Sequence, residues 1–151
     1  MCGLVGFAAK TGRPADRIES ALAALGHRGP DGQGVYDQGG VALGHTRLSI
    51  IDLEGGAQPL RSPCGRFALV ANGEIYNHIE LRNELLAQGA RFATQSDSEV
   101  ILQGYATWGR DVLTRLEGMY AFALHDAEQN EVMLARDPLG MKPLYCHEGS
   151  S

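Results

Sequence analysis

Cysteine, basic charge and long apolar runs are all scarce in this sequence, and each shortage closes off a class of function. Cysteines stand only at positions 2, 64 and 146 of 151 residues. An odd count with no Cys-x-x-Cys pair is neither a disulfide framework, a zinc knuckle nor a redox pair. Lys and Arg number 13 against 18 Asp and Glu, a formal net charge of -5, and no basic run offsets it. That balance argues against nucleic acid or an anionic membrane as partner. The longest apolar stretches, such as Met119 to Leu124, fall far short of the roughly 20 residues a membrane-spanning helix needs. Met1-Cys2-Gly3 is not the charged start of a signal peptide, so the cytoplasm is the expected compartment and free thiols are expected there. No two histidines have metal-ligand spacing, and no metal site is expected. Cys64, between Pro63 and Gly65, and Cys146 read as structural or incidental.

What remains is a folding composition: 44% hydrophobic and 21% charged residues in a length that suits one domain. Gly3 to Ala9 is an apolar run that reads as a strand buried on both faces. Pro14 to Gly26 reads as a helix, with Pro14 in the first turn and Ile18, Ala21, Leu22 and Leu25 at helical spacing. His27 to Gly34 reads as a turn-rich loop, Val41 to Leu48 as a strand, and Glu54 to Leu60 as a loop. Arg66 to Ala71 reads as a strand that ends at Asn72-Gly73, a pair typical of turns. His78 to Gln88 reads as a helix capped by Asn77, with Ile79, Leu81 and Leu85 inward and Gly89 as its stop. Ser96 and Glu99 have the spacing of a capping box for a second helix carrying Ile101, Tyr105 and Trp108 on one face. Another helical turn or two fits Arg110 to Leu116. Met119 to His125 and Glu131 to Ala135 read as a hairpin, and Leu144 to Cys146 as the start of a further strand. Strands, then helices, then strands again suit an α+β layered domain.

Cys2 is the residue with the most chemistry. Removal of Met1 would leave it with a thiol and a free α-amine, whose ordinary pKa values of about 8.5 and 8 allow both to exchange protons near neutrality. One residue then supplies a nucleophile and its own base. A small buried hydrophobe is the bland alternative. Asn72 and the Gly73 N–H are two donors that need no proton exchange, as an oxyanion hole requires; a tight turn is the alternative. Arg47 offers a planar fork matched to a carboxylate. Glu74 and Asp97 could each accept from an ammonium, or serve as solvated charges or caps. His27, His45 and His78 are read as structural.

These residues fall in segments that resemble the N-terminal glutaminase domain of glutamine-hydrolysing asparagine synthetase, a class II glutamine amidotransferase. The segments are Met1-Cys2-Gly3-Leu4-Val5-Gly6, His27-Arg28-Gly29-Pro30-Asp31, Gly44 to Asp52, Gln58-Pro59, Asn72 to Asn77, Ser96 to Glu99, Arg136 to Gly140 and Lys142 to Tyr145. They occur in family order over nearly the whole chain. The Arg47-Leu48-Ser49-Ile50-Ile51 segment is similar to asparagine synthetase, where related amidotransferases more usually follow the arginine with Trp or Tyr. The resemblance implies a single type 2 glutamine amidotransferase domain over residues 1–151 with the four-layer αββα sandwich of N-terminal nucleophile hydrolases. It implies Cys2 as nucleophile, Asn72 and Gly73 as oxyanion hole, and Arg47 on the glutamine α-carboxylate. Glu74 and Asp97 would meet the substrate's polar groups, Asp97 chiefly the α-ammonium. The backbone of Leu48, Ser49, Ile50 and Ile51 would line the pocket.

L-glutamine is therefore the expected small-molecule partner, with ammonia passing to a synthetase domain or partner chain that amidates an acyl-adenylate. In the family the chain continues with further strands and an ATP-using domain, whereas this sequence ends at Gly149-Ser150-Ser151. The expectation is accordingly a C-terminally shortened sandwich with no cofactor of its own, ATP and Mg belonging to the synthetase domain. An unpaired apolar sheet edge would leave the chain marginally stable, self-associating or dependent on a partner. A non-catalytic fragment or glutamine-binding module is the alternative.

Overall fold

Strict alternation along two central strands sets the layers. The computed structural model describes residues 2–9, 15–48 and 56–149. Strand β1 (Gly3–Ala8) is followed by helix α1 (Ala15–Leu25), a short 3-10 turn (Gly26–Arg28), and strands β2 (Gly32–Gln38) and β3 (Val41–Arg47). Next come β4 (Leu60–Arg61), β5 (Phe67–Ile75), helices α2 (His78–Ala87) and α3 (Glu99–Trp108), a second 3-10 turn (Gly109–Thr114), and strands β6 (Gly118–Asp126) and β7 (Glu131–Arg136). The strands form two antiparallel sheets, ordered β1-β3-β2 and β4-β5-β6-β7.

On β3, Val41 and Leu43 pack with Tyr36 against Ala68, Val70 and Ala123 of the second sheet. Ala42, one residue out of phase, meets Ile18 and Leu22 of α1 instead. On β5, the positions that alternate with Ala68 and Val70 (Phe67, Leu69, Ala71 and Ile75) cluster with Leu81 and Leu85 of α2 and Ile101 and Tyr105 of α3. A period of two sends alternate side chains to opposite faces. The result is four layers: α1, the three-stranded sheet, the four-stranded sheet, and the α2–α3 pair. That is the αββα sandwich of the N-terminal nucleophile hydrolase type that the resemblance implied. Residues of β6 from Tyr120 onward are buried on both faces, as its apolar run requires.

Several local expectations are corrected. β1 lies at a sheet edge and is mostly half-buried or exposed; Leu4 faces the inter-sheet core and Val5 and Phe7 face α1, so its apolar run reflects two partial covers. The expected loop at residues 27–34 gives way to β2, where only Tyr36 is buried, and Leu60–Arg61 forms the short β4. β5 does not end at Asn72-Gly73 but runs through the pair to Ile75, in register with β6 from Phe67↔Asp126 to Ile75↔Gly118. A Cβ on Gly73 would collide with the Met119 carbonyl and the Tyr120 backbone. Here glycine permits a close approach between strands rather than a turn.

Ile79 is 61% exposed, so the inner face of α2 is formed by Leu81 and Leu85 alone among the residues expected there. Asn77 is the N-cap residue of α2, as expected, but its side chain makes no capping bond; it accepts from Glu117 N–H and donates to the Arg115 carbonyl. Ser98, not Ser96, precedes α3, and Glu99 turns its carboxylate to the N–H groups of Ala93 and Thr94 instead of closing a capping box. Residues 144–146 form no strand. Pro14 and the stretch 49–55 lie outside the described residues.

Candidate active site

The open end of the sandwich, where β1 begins and β3 stops, gathers residues from both sheets. Leu4 stands opposite His45 in the β1–β3 register. Cys2, two residues earlier, therefore shares their inter-sheet face. On the facing sheet, Asn72 continues the inward series of Ala68 and Val70. The Cys2 thiol and the Asn72 side chain thus come from different sheets and meet at a cavity of about 170 Å³ lined also by Arg47, Leu48, Gly73, Glu74 and Asp97. This is below the roughly 300–1,000 Å³ of drug-sized pockets and suits a small ligand.

Cys2 is half-buried and well anchored. Leu48 donates its N–H to Sγ at 3.4 Å, and the thiol sits 3.7 Å from the Leu48 carbonyl. Arg28 donates Nε–H to the Cys2 carbonyl at 3.2 Å, and the Thr46 hydroxyl accepts the Gly3 N–H at 3.1 Å. The Asp31 N–H donates to the Arg47 carbonyl at 2.9 Å. The loop after α1 therefore ties the thiol and the arginine into one frame.

The alternation of β5 sets the direction of the Gly73 N–H. Ala71 and Ile75 turn their N–H groups away from β6, to Gln58 Oε1 at 2.6 Å and Asp97 Oδ2 at 2.7 Å. Gly73 lies between them in the same phase, so its N–H faces the cavity. Asn72 is 7% exposed. Asp97 is buried and half-engaged by Ile75, while Glu74 is exposed at the rim. Arg82 stacks on Phe92 with 4.1 Å to the ring centroid and donates to the Thr94 and Ser96 carbonyls, which steadies the approach to Asp97.

The structure brings together Cys2, Arg47, Leu48, Asn72, Gly73, Glu74 and Asp97. Ser49, Ile50 and Ile51 lie outside the described residues. His27 and His78 accept the structural reading: their Nδ1 atoms meet the Ala24 and Ile75 carbonyls, each three residues back. His45 does not fit that reading so simply, since it lines the cavity. Burial, opposed by its bond to the Ala71 carbonyl and aided by Arg47, pushes its pKa down to about 4. The neutral ring donates Nε2–H to Ala71 at 3.1 Å and leaves Nδ1 buried without a partner among the described residues.

Gln58 and Lys142 are further lining residues to which the sequence reading gave no role. Lys142 is buried, and its backbone N–H is held at 3.0 Å by the carboxylate of Asp137, which also accepts from Met141 and Tyr120. Burial alone would raise the Asp137 pKa, but these N–H donors hold it below the usual range. A larger groove of about 970 Å³ meets the cavity at Cys2 and Asn72 and runs along β1 past Leu4, Leu43 and Val132. Among the described residues no group of three or more His, Cys, Asp or Glu is placed to hold a metal ion. No described helix is long and apolar enough to cross a membrane.

The glutamine amidotransferase domain family matches residues 1–151. A Mycobacterium bovis protein named for glutamine-hydrolysing asparagine synthetase is 47% identical over 168 residues, covering 99% of this chain and 26% of its own length. Asparagine synthetase B of Escherichia coli is 44% identical over 152 residues, covering 96% and 26%. Asparagine synthetase 1 of Bacillus subtilis is 42% identical over 150 residues, covering 96% and 24%. The chain thus spans about a quarter of the length of these relatives. Among solved structures, the glutamine phosphoribosylpyrophosphate amidotransferase of Bacillus subtilis superposes with a TM-score of 0.75 at 26% identity, covering 91% of this chain and 37% of that one.

Proposed function

Because the chain belongs to the glutamine amidotransferase domain family, we propose that it hydrolyses the side-chain amide of L-glutamine to glutamate and ammonia. The observation that carries this reading is the meeting of Cys2 from one sheet with Asn72 and the Gly73 N–H from the other, between Arg47 and Asp97. Arg47 takes the α-carboxylate, Asp97 the α-ammonium, and Glu74 a polar group at the rim; the side-chain carboxamide then points at the thiol. Leu48 completes the wall on the Arg47 side.

Removal of Met1 frees the α-amine of Cys2. The amine takes the thiol proton as sulfur attacks the carboxamide carbon. The developing oxyanion is held by Asn72 and Gly73, which interact more strongly with it than with the neutral carbonyl. The same proton passes to the leaving nitrogen, ammonia departs, and a thioester remains. Water adds to the thioester with the amine again as base, releasing glutamate.

The groove that meets the pocket at Cys2 and Asn72 offers ammonia a way out that does not pass the bound amino acid. The relatives' names and lengths support an asparagine-synthetase-type amidation of an acyl-adenylate as the use of that ammonia, with ATP and Mg acting in that other domain or chain. No cofactor is needed for the hydrolysis itself.

The test is glutamine hydrolysis by the chain after mass spectrometry has shown Met1 removed. Expected are stoichiometric glutamate and ammonia, and no turnover in chain that keeps Met1. Glutamine binding without turnover by Met1-free chain would replace this reading with that of a binding module.

A further inference from the structure

The edge of β5 beside the oxyanion donors is closed by side chains rather than by a strand. β4 is two residues long and pairs only with Ala68 and Leu69. In the same register the next partner of β5 would be Gln58 opposite Ala71, but no ladder forms there. Instead Gln58 Oε1 accepts the Ala71 N–H at 2.6 Å and His45 Nε2–H donates to the Ala71 carbonyl at 3.1 Å. Both polar groups of one residue are thus taken by side chains from two different segments. That carbonyl belongs to the peptide joining Ala71 to Asn72, so its orientation bears on where the Asn72 side chain and the next N–H turned away from β6, that of Gly73, point.

The methyl group of Ala71 packs into the α2–α3 layer and the strand pairs with β6 on its other edge, so Gln58 and His45 hold the one edge of this residue that no strand covers. Gln58 is in turn seated from behind: a Cβ on Gly34 of β2 would strike the Gln58 carbonyl and Pro59 Cδ. The His45 side is equally determined. A carbonyl can only accept, so Nε2 must carry the proton, and the 1% exposed ring keeps that tautomer.

On this geometry, and resting on the glutaminase reading above, we propose that Gln58 and His45 are positioning residues that aim the oxyanion hole by clamping the Ala71 peptide groups. They act through Asn72 and Gly73. Their effect therefore falls on the tetrahedral state, where charge sits on oxygen, rather than on bound substrate or product.

The experiment uses Met1-free chain and compares Gln58→Met, His45→Phe and His45→Gln with the parent. Gln58 is half-buried at the rim, so Gln58→Met is the variant least exposed to misfolding. Gln58→Met and His45→Phe should lower kcat about 10- to 100-fold, the scale on which small misplacements act, with KM for glutamine little changed. His45→Gln keeps an N–H donor and should recover most of the loss.

The second readout is the aldehyde analogue of glutamine, glutamate γ-semialdehyde. Addition of the thiol S–H across its C=O forms an S–C bond and places the former carbonyl oxygen in the hole. Affinity for the aldehyde should fall with kcat, while affinity for the product L-glutamate stays at the parent value. Gln58→Met with the parent's kcat and aldehyde affinity overturns the proposal, as does a parallel loss of aldehyde and glutamate affinity. Asn72→Ala separates the two levels: if it leaves aldehyde affinity intact, the oxyanion-hole reading itself fails.

Discussion

Two buried histidines bridge the sheets, one at each end of the sandwich, and they do different work. His45 reaches from β3 to the backbone of β5, immediately before Asn72. His125 reaches from β6 to Tyr36 of β2, with Nδ1 at 2.8 Å from the hydroxyl and the rings edge-to-face at 5.6 Å. Both are essentially inaccessible, and burial lowers both pKa values. Beside His125, Asp126 forms a two-pronged ion pair with Arg66 and accepts from Glu128 and Gln129 N–H, while His125 Nε2, like His45 Nδ1, is buried without a partner among the described residues. What sets His45 apart is that it lines a cavity together with Asn72 and Gly73, whose N–H turns away from β6. The far end closes on itself. The pocket end instead opens the polar groups of Asn72, Gly73 and Asp97 on a cavity, where a ligand can complete the hydrogen bonding.

The sharpest way to break this contrast is at the thiol. Cys2→Ala should abolish glutamine hydrolysis in steady-state assays and leave the thermal midpoint near the parent's, because the group removed is small and half-exposed. Hydrolysis at the parental rate would remove chemistry from the pocket end altogether. Asn72→Ala should lower kcat about 10²–10³-fold with a smaller effect on KM, the usual result of losing one oxyanion donor. A rise in KM at constant kcat would instead assign Asn72 to ground-state binding.

The histidines themselves predict a pH dependence. His45 has a folded pKa of about 4 against an ordinary 6.5, so the unfolded chain binds the extra proton between those values. Its stabilising contribution is full above pH 6.5 and is lost as pH falls towards 4, about 3 kcal/mol in all. His125 is shifted in the same direction and adds to the slope. Thermal midpoints measured from pH 7 to 4 should therefore fall, and less steeply in His45→Gln. Equal slopes would mean that His45 is not held neutral by burial.

At the far end, Tyr36→Phe leaves His125 Nδ1 without its hydroxyl. It should cost about 1–3 kcal/mol in chemical denaturation and leave kcat/KM unchanged. A fall in kcat would show the two ends to be coupled. The smallest effect is expected at Ile79, whose exposure on α2 puts Ile79→Ser within about 0.5 kcal/mol of the parent. A larger loss would return that side chain to the inner face.

Much of the site was legible because it depends on residue type. A second-position cysteine, an arginine at a strand end, an Asn-Gly pair and a carboxylate before a helix each announce a chemical capacity that survives without coordinates. Their convergence was legible only through the family resemblance. The misreadings share one cause: local pattern cannot report who sits alongside. Asn72-Gly73 has turn chemistry, yet β6 runs against it and makes it mid-strand. β2 has three polar residues and two glycines in seven and holds its place by pairing with β3 along its whole length. Ile79 has inward spacing, but the packed stripe of α2 is narrow and ends at Leu81 and Leu85. Gln58 and His45 carry no signal of their own, since a glutamine in a loop and a histidine in a strand are each ordinary.

By itself the sequence determined the α+β class, the layer-forming alternation of β3, β5 and β6, and which residues are candidates for nucleophile, oxyanion donors and substrate contacts. These follow from side-chain chemistry and from the periods of helix and strand, which act over a few residues. Tertiary structure decided that Cys2 and the Asn72-Gly73 pair come from opposite sheets, that the Gly73 N–H turns away from β6, and that Ala71 is held by Gln58 and His45. Those outcomes depend on where β4 stops and which strand lies next to which, and such contacts join residues 13 to 46 positions apart in the chain.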